Sequence, residues 1–143
     1  MAARDLAGAG ADVLSDADYS VLARFRFALR VFLRFSEQAA RAAGVTPSQH
    51  QLLLAIRGFP DGNPTISDLA EWLQLRHHST VELVDRAVDS GLIARRPDAQ
   101  DGRRQRLVLT QSGARVLASL TTTHKEELRR FREEMSELLR ELQ

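Results

Sequence analysis

The sequence predicts a mainly α-helical fold with a small β-hairpin wing, a winged helix-turn-helix held between long N- and C-terminal helices. Three stretches predict it. Between Thr65 and Ser90, two short apolar-periodic helices are separated by a break at Gln74-Leu75-Arg76. Residues 92–96 and 105–110 then read as two strands across a polar turn rich in Asp and Arg. On either side of this module, apolar residues recur at alternating steps of three and four, the spacing of one helix face.

At 143 residues the chain is expected to be one domain, long enough to bury a core. Residues 1–15 are small and Gly-rich, without the basic start and apolar run of a signal peptide, and are expected to form a disordered tail. Ser15 with Asp18 marks the start of a helix over 16–43, closed by Gly44. Its apolar stripe runs Leu22, Phe25, Leu29, Phe32 and Ser36, widened by Phe27 and Phe35. Arg24, Arg26, Arg30 and Arg34 interleave with it, a pattern that also suits a helix lying on a membrane. A core helix with a solvated basic face is the simpler reading, because the rest of the chain gives those aromatics a core to fill.

Thr46-Pro47-Ser48-Gln49 is the clearest helix start. Thr46 caps, Pro47 takes the first helical position where its missing N–H costs nothing, and Gln49 completes a capping box. Leu52, Leu53, Leu54, Ala55 and Ile56 make this short helix apolar on most sides, which predicts a buried place at the centre. Gly58 stops it, and residues 59–64 form a dense turn. Thr65 caps the next helix, with Asp68 near the positive end of the helix dipole. The second helix of the pair spans 77–90, with Thr80, Leu83, Val84 and Ala87 facing inward, and Gly91 ends it. Thr110 caps a last helix that runs to about Leu142. Its seam is Leu117, Leu120, His124, Leu128, Phe131, Met135, Leu138 and Leu142. One small domain offers such a helix too little to pack on, so pairing with a second copy is expected, a purely intrachain seam being the alternative.

The stretches DLAEWLQL, STVELVDRAVDSGLI, RRPDAQDGRR and LVLTQSG together resemble the MarR family of bacterial transcriptional regulators. The most specific combination is an Asp-x-x-Asp-x-Arg turn followed by a strand ending Leu-Thr-x-x-Gly, directly after the helix pair. The resemblance implies a single domain over 1–143, with residues 16–45 and 111–143 as interleaved dimerisation helices and 46–110 as the DNA-reading module. It also implies that Asp101 orients the wing and that Arg103, backed by Arg104, enters the minor groove. A small aromatic or lipophilic effector would bind between the dimerisation and reading parts. Phe25, Phe32, His50 and Trp72 are the expected lining.

The residues themselves say which side chains face DNA. With the inward face assigned, His77, His78, Ser79, Glu82 and Arg86 point outward on the second helix, and those near its N-terminus reach base edges in this geometry. Ser79 and the imidazoles donate or accept, and Glu82 can accept from a cytosine amine. Glu82, Asp85 and Asp89 repel phosphate, and Arg86 is expected to pair with one of them. Arg76 stands where a short capping residue is usual and is free for a phosphate contact. Five arginines fall within residues 95–106 against Asp98 and Asp101, whose carboxylates are suited to bonding nearby turn N–H groups and orienting the wing. Narrow A·T-rich minor grooves concentrate negative potential and attract such arginines.

Composition narrows the alternatives. The net charge is only +1, so any nucleic-acid surface depends on local segregation of charge. With no cysteine, disulfides, zinc-thiolate sites and thiol redox sensing are excluded, which fits a cytoplasmic protein. Adjacent His77 and His78 point about 100° apart on a helix, and His50 and His124 are isolated in sequence, so no metal and no cofactor are expected. No phosphate loop, nucleophile elbow or metalloprotease motif is present, and an enzyme is not expected. The expected function is a homodimeric regulator, a repressor that grips a pseudo-palindromic double-stranded operator and is released by a small ligand, with no membrane partner. The alternatives are a metal-responsive or ligand-independent regulator, and a winged-helix interaction module that binds no DNA.

Overall fold

The computed structural model describes residues 13–142; the greater part of the expected N-terminal tail lies outside them. Five helices and one hairpin follow in the order α1 (Asp16–Ala42), α2 (Pro47–Gly58), α3 (Ile66–Leu73), α4 (His77–Asp89), β1 (Ile93–Pro97), β2 (Gln105–Leu109) and α5 (Gln111–Glu141). The helix starts obey the local chemistry. Ser15, Thr46 and Thr65 each accept from the amide three residues on, and Asp18, Gln49 and Asp68 accept from the cap amide in return. Gln74 closes α3 in the left-handed conformation, which turns the chain sharply into α4. Arg76 caps α4 through its backbone alone, without a side-chain bond.

β1 and β2 pair antiparallel, Ile93 opposite Leu109 and Arg96 opposite Arg106. The α2–α3 turn lies beside the hairpin, with the Leu107 N–H donating to the Pro64 carbonyl at 2.9 Å. The other end of the module is tied to α5. Thr110 Oγ1 donates to the Gly91 carbonyl and accepts from the Gly113 N–H, while the Thr110 N–H donates to the Leu92 carbonyl. A Cβ built on Gly113 would lie 1.9 Å from that Leu92 oxygen, so only glycine fits the contact.

The apolar residues form two separate clusters. The larger holds Leu52, Leu53, Ile56, Leu69, Val84, Ile93 and Leu107 of the winged module, together with Ala40 of α1 and Leu117 and Leu120 of α5. The smaller lies between the outer halves of α1 and α5 and holds Val21, Ala28, Met135 and Leu138, flanked by Phe25 and Phe131. Two expectations change here. Leu54 is not at the buried centre but 46% exposed, because α2 has one side uncovered. The buried line of α1 runs through Val21, Ala28, Ser36 and Ala40, leaving Leu22 exposed and Phe27 63% exposed. The α5 seam is covered only in part within its own chain: Leu117 and Leu120 are buried against the winged module and Met135 and Leu138 against α1, while Leu128 is 48% exposed.

Candidate nucleic-acid interface

The inward residues of α4 are those expected, with Thr80, Leu83, Val84 and Ala87 all buried. The Thr80 hydroxyl donates to the Arg76 carbonyl at 3.0 Å, which satisfies a buried polar group inside the first turn. Outside, Arg76, His77, His78, Glu82 and Arg86 are exposed and Ser79 is half-buried. Helical spacing puts His78, Glu82, Asp85 and Asp89 along the outermost line. Ser79, Glu82 and Arg86 also flank a cleft shared with Ser48 and Gln49 at the start of α2.

Asp85 is ion-paired, though not with Arg86. Its partner is Arg95 on β1, which fastens the helix to the base of the wing and offsets one of the three acidic charges. Among the described residues Arg86 makes no ion pair, so its guanidinium is available to solvent or to a ligand. Sequence reasoning missed Arg95 because a strand residue ten positions away leaves no helical-spacing signal.

The wing is organised by its two aspartates, in different ways. Asp98 accepts from the Gln100 amide at 2.8 Å and from Nε and Nη2 of Arg106 at 3.1 and 2.9 Å. The Gln100 amide, and after it the Arg106 guanidinium, hold the Asp98 carboxyl below the usual carboxylate range. Arg106 also donates through Nη1 to the Asn63 carbonyl, joining the wing to the α2–α3 turn. Arg106 thus works as a brace rather than a reader, a distinction no motif within 95–106 announces. Asp101 accepts from the Arg103 amide at 3.1 Å, and its carbonyl accepts from the Arg104 amide. These bonds fix the backbone of the tip and leave the Arg103 and Arg104 side chains exposed.

A second concavity lies where α1, α2, α3 and α5 meet, between the two apolar clusters. It encloses about 660 Å³. Phe32, His50 and Trp72 line it; Phe25 does not, because it packs about two turns further out along α1, against Val21, Met135 and Leu138. His124 joins the lining from α5, its ring centroid 4.9 Å from that of His50 and 5.5 Å from that of Phe35. His124 Nδ1 lies 2.6 Å from the Leu120 carbonyl, which can only accept, so Nδ1 carries the proton. Nε2 lies 2.8 Å from the Ser36 hydroxyl, and both ring nitrogens are therefore satisfied. His50 is 4% exposed, and its Nδ1 is buried without a hydrogen-bond partner. Burial, and secondarily the neighbouring His124, push the His50 imidazole below its ordinary value and keep it neutral. The two histidines, 74 positions apart in sequence, are neighbours only through the fold. Among the described residues no group of three or more His, Asp or Glu side chains is placed to hold a metal ion, and no helix is long and apolar enough to cross a membrane.

A family model described as the MarR family matches residues 43–104, the span from the end of α1 to the wing tip. No curated relative matches the sequence. Among solved structures, a mutant of S. aureus MepR bound to oligodeoxyribonucleotide is similar at 25% identity, covering 87% of this chain and 98% of that one with a TM-score of 0.67. AbsC, a MarR family transcriptional regulator from Streptomyces coelicolor, shares the fold at 19% identity, with 82% and 80% of the two chains covered and a TM-score of 0.69. A mutant MarR from E. coli complexed with operator DNA shares it at 19% identity, with coverage of 82% and 81% and a TM-score of 0.64.

Proposed function

We propose that the protein is a MarR-family, non-enzymatic, sequence-specific DNA-binding regulator acting as a homodimeric repressor, a reading supported by the family match over residues 43–104. The observation that carries the reading is the pairing of an exposed α4 N-terminus with a wing whose base is braced and whose tip presents Arg103 and Arg104. Two copies would set two α4 helices into successive major grooves of a pseudo-palindromic operator about one helical turn apart, with the wings in the flanking minor grooves. Arg76, His77, His78, Ser79, Glu82 and Arg86 are the proposed contacts of the helix. The DNA-bound MepR and MarR relatives support this reading.

Dimerisation is proposed through α1 and α5. Phe27 and Val31, four residues apart on one face of α1, are 63% and 51% exposed, and Leu139 of α5 is similarly open. Effector release is proposed through the cavity between the two clusters, where an occupant would change the angle between the α1–α5 pair and the reading module.

The test is fluorescence anisotropy on DNA flanking the protein's own gene, titrated with salt against random competitor. A dimer neutralising roughly six to ten phosphates loses about a thousand- to a hundred-thousand-fold in affinity between about 50 and 200 mM salt. Arg103→Ala should weaken binding at A·T-rich flanks while leaving the oligomeric state unchanged; undiminished binding would remove the wing from the interface. The acidic outer line of α4 favours one rival, a winged-helix surface that binds protein, and absence of DNA binding even at low salt would select it.

A further inference from the structure

Three polar side chains meet where the α1–α5 pair rests on the reading module: Ser36 of α1, His50 of α2 and His124 of α5, all buried. His124 has both ring nitrogens engaged, Nδ1 donating to the Leu120 carbonyl and Nε2 lying 2.8 Å from the Ser36 hydroxyl. His50 stands beside it, ring centroids 4.9 Å apart, with Nδ1 buried and unpartnered. A protonated His50 carries N–H on both nitrogens, so in this arrangement its Nδ1–H would have no acceptor and its charge would face a second imidazole. A buried charge without a partner is costly. Among the described residues, Glu37 and His124 are the only titratable groups on the cavity that His50 borders, and α3 and α4 bring no charged side chain to it. Glu37 is exposed, where water screens its carboxylate.

We propose that Ser36, His50 and His124 form a proton-operated latch, closed while both imidazoles are neutral and opened when mild acid protonates His50, which frees the reading module from the α1–α5 pair. The direction follows from linkage. In the closed joint, burial and then His124 hold His50 below its ordinary value. Once α2 draws away, water reaches the ring and restores that value, so the open form takes up the proton first. The closed form therefore has its full advantage above the ordinary histidine range and loses it as pH falls through that range. Below the depressed value of His50 nothing more is lost from this source. Inside the window the balance shifts by at most about tenfold per pH unit. Because α2 supplies Leu52, Leu53 and Ile56 to the core of the module, moving α2 off α5 moves the whole reading head. The latch rests on the fold; its effect on DNA rests on the function proposed above. His77 and His78, exposed on α4, act with the opposite sign, since a positive imidazole there adds attraction to phosphate.

The chain carries its own reporter, because Trp72 is the only tryptophan and lines the same cavity as His50. The experiment is acrylamide quenching of its fluorescence on the full chain from about pH 8 to about pH 5, with anisotropy on the DNA flanking the protein's own gene at constant salt. Quenching should rise in the natural chain as pH falls through the histidine range, with far-UV circular dichroism unchanged, and stay level in His50→Gln, whose side chain does not titrate. Between about pH 7.5 and 5.5 the natural chain should lose about three- to tenfold in DNA affinity relative to His50→Gln, a comparison in which His77 and His78 cancel. Level quenching in the natural chain overturns the latch, whether or not the variant folds. Loss of helix at the same midpoint means unfolding in place of opening and overturns it too. So does a rise in quenching, or a fall in affinity, that His50→Gln shares in full. If quenching behaves as expected and DNA is bound at no pH, the latch stands and the DNA-reading proposal falls.

Discussion

In the winged module, Leu52, Leu53, Leu69, Val84, Ile93 and Leu107 enclose one another, and the loops around them are laced to that core by backbone and Arg106 hydrogen bonds. In the outer halves of α1 and α5, a comparable length of helix buries only Val21, Ala28, Met135 and Leu138, while Phe27, Val31, Leu128 and Leu139 stay open to solvent. Both regions carry helix-periodic apolar residues, but only the first is closed by its own chain. On the proposed function, the contrast separates two physical tasks. A surface that reads DNA needs its side chains held to within a fraction of an ångström, and close packing supplies that rigidity. A surface that joins copies must keep apolar area in reserve, because that area is what association buries.

Truncation of a core leucine gives the largest test of this difference. Leu53→Ala should lower stability by about 2–5 kcal/mol in denaturant titration, and Leu138→Ala by clearly less when the protein is dilute enough to be monomeric. Equal losses would mean that the outer helices are as closely packed as the module. Gly113→Ala comes next, at about 1–3 kcal/mol, because the new methyl group meets the Leu92 backbone rather than a side chain that could turn aside. Its effect should reach DNA affinity as well, since the same contact sets α5 against the module.

The joint between the regions should respond to pH. His50 is held below the ordinary histidine value in the folded chain, so the unfolded chain takes up its proton first. Stability therefore stands at its full value above histidine's ordinary range, falls as pH drops through that range, and stops falling from this source below the depressed value of His50 itself. Midpoints measured from about pH 8 down to about pH 5 should show this slope in the natural chain and a flatter one in His50→Gln. The smallest effect belongs to the outer helices. Arg24→Ala removes an exposed ion pair with Glu141 and should leave the unfolding midpoint unchanged within error. A marked loss there would mean that the pair is covered in the assembled protein.

Local chemistry was the legible part of the sequence. Ser15, Thr46, Thr65 and Thr110 each cap the helix they were expected to cap, and Thr80, Leu83, Val84 and Ala87 form the buried side of α4. Such features depend on residues within one or two turns. Which face of α1 is buried was not legible, because Phe25, Phe27 and Phe35 are equally apolar and only the position of α5 selects among them. The same holds for the site. The roles of Asp98 and Asp101 as turn organisers follow from side chains that bond amides two residues away. The Asp85–Arg95 pair, the reach of Arg106 to Asn63 and the meeting of Ser36, His50 and His124 each join different elements. Only the assembled backbone brings those groups within reach.

The glycine contact at the start of α5 has a mechanical consequence. A helix of 31 residues is about 46 Å long at the usual rise per residue. Its first turn cannot slide, being pressed against the Leu92 backbone at Gly113 and bonded through Thr110 to the carbonyls of Gly91 and Leu92. A rod clamped at one end converts rotation into travel, so a tilt of about 5° carries its far end about 4 Å. Run in reverse, the same gearing means that a displacement of a few ångströms at the far end, carried together with α1, turns the clamped module, and the helix it presents, by only a few degrees.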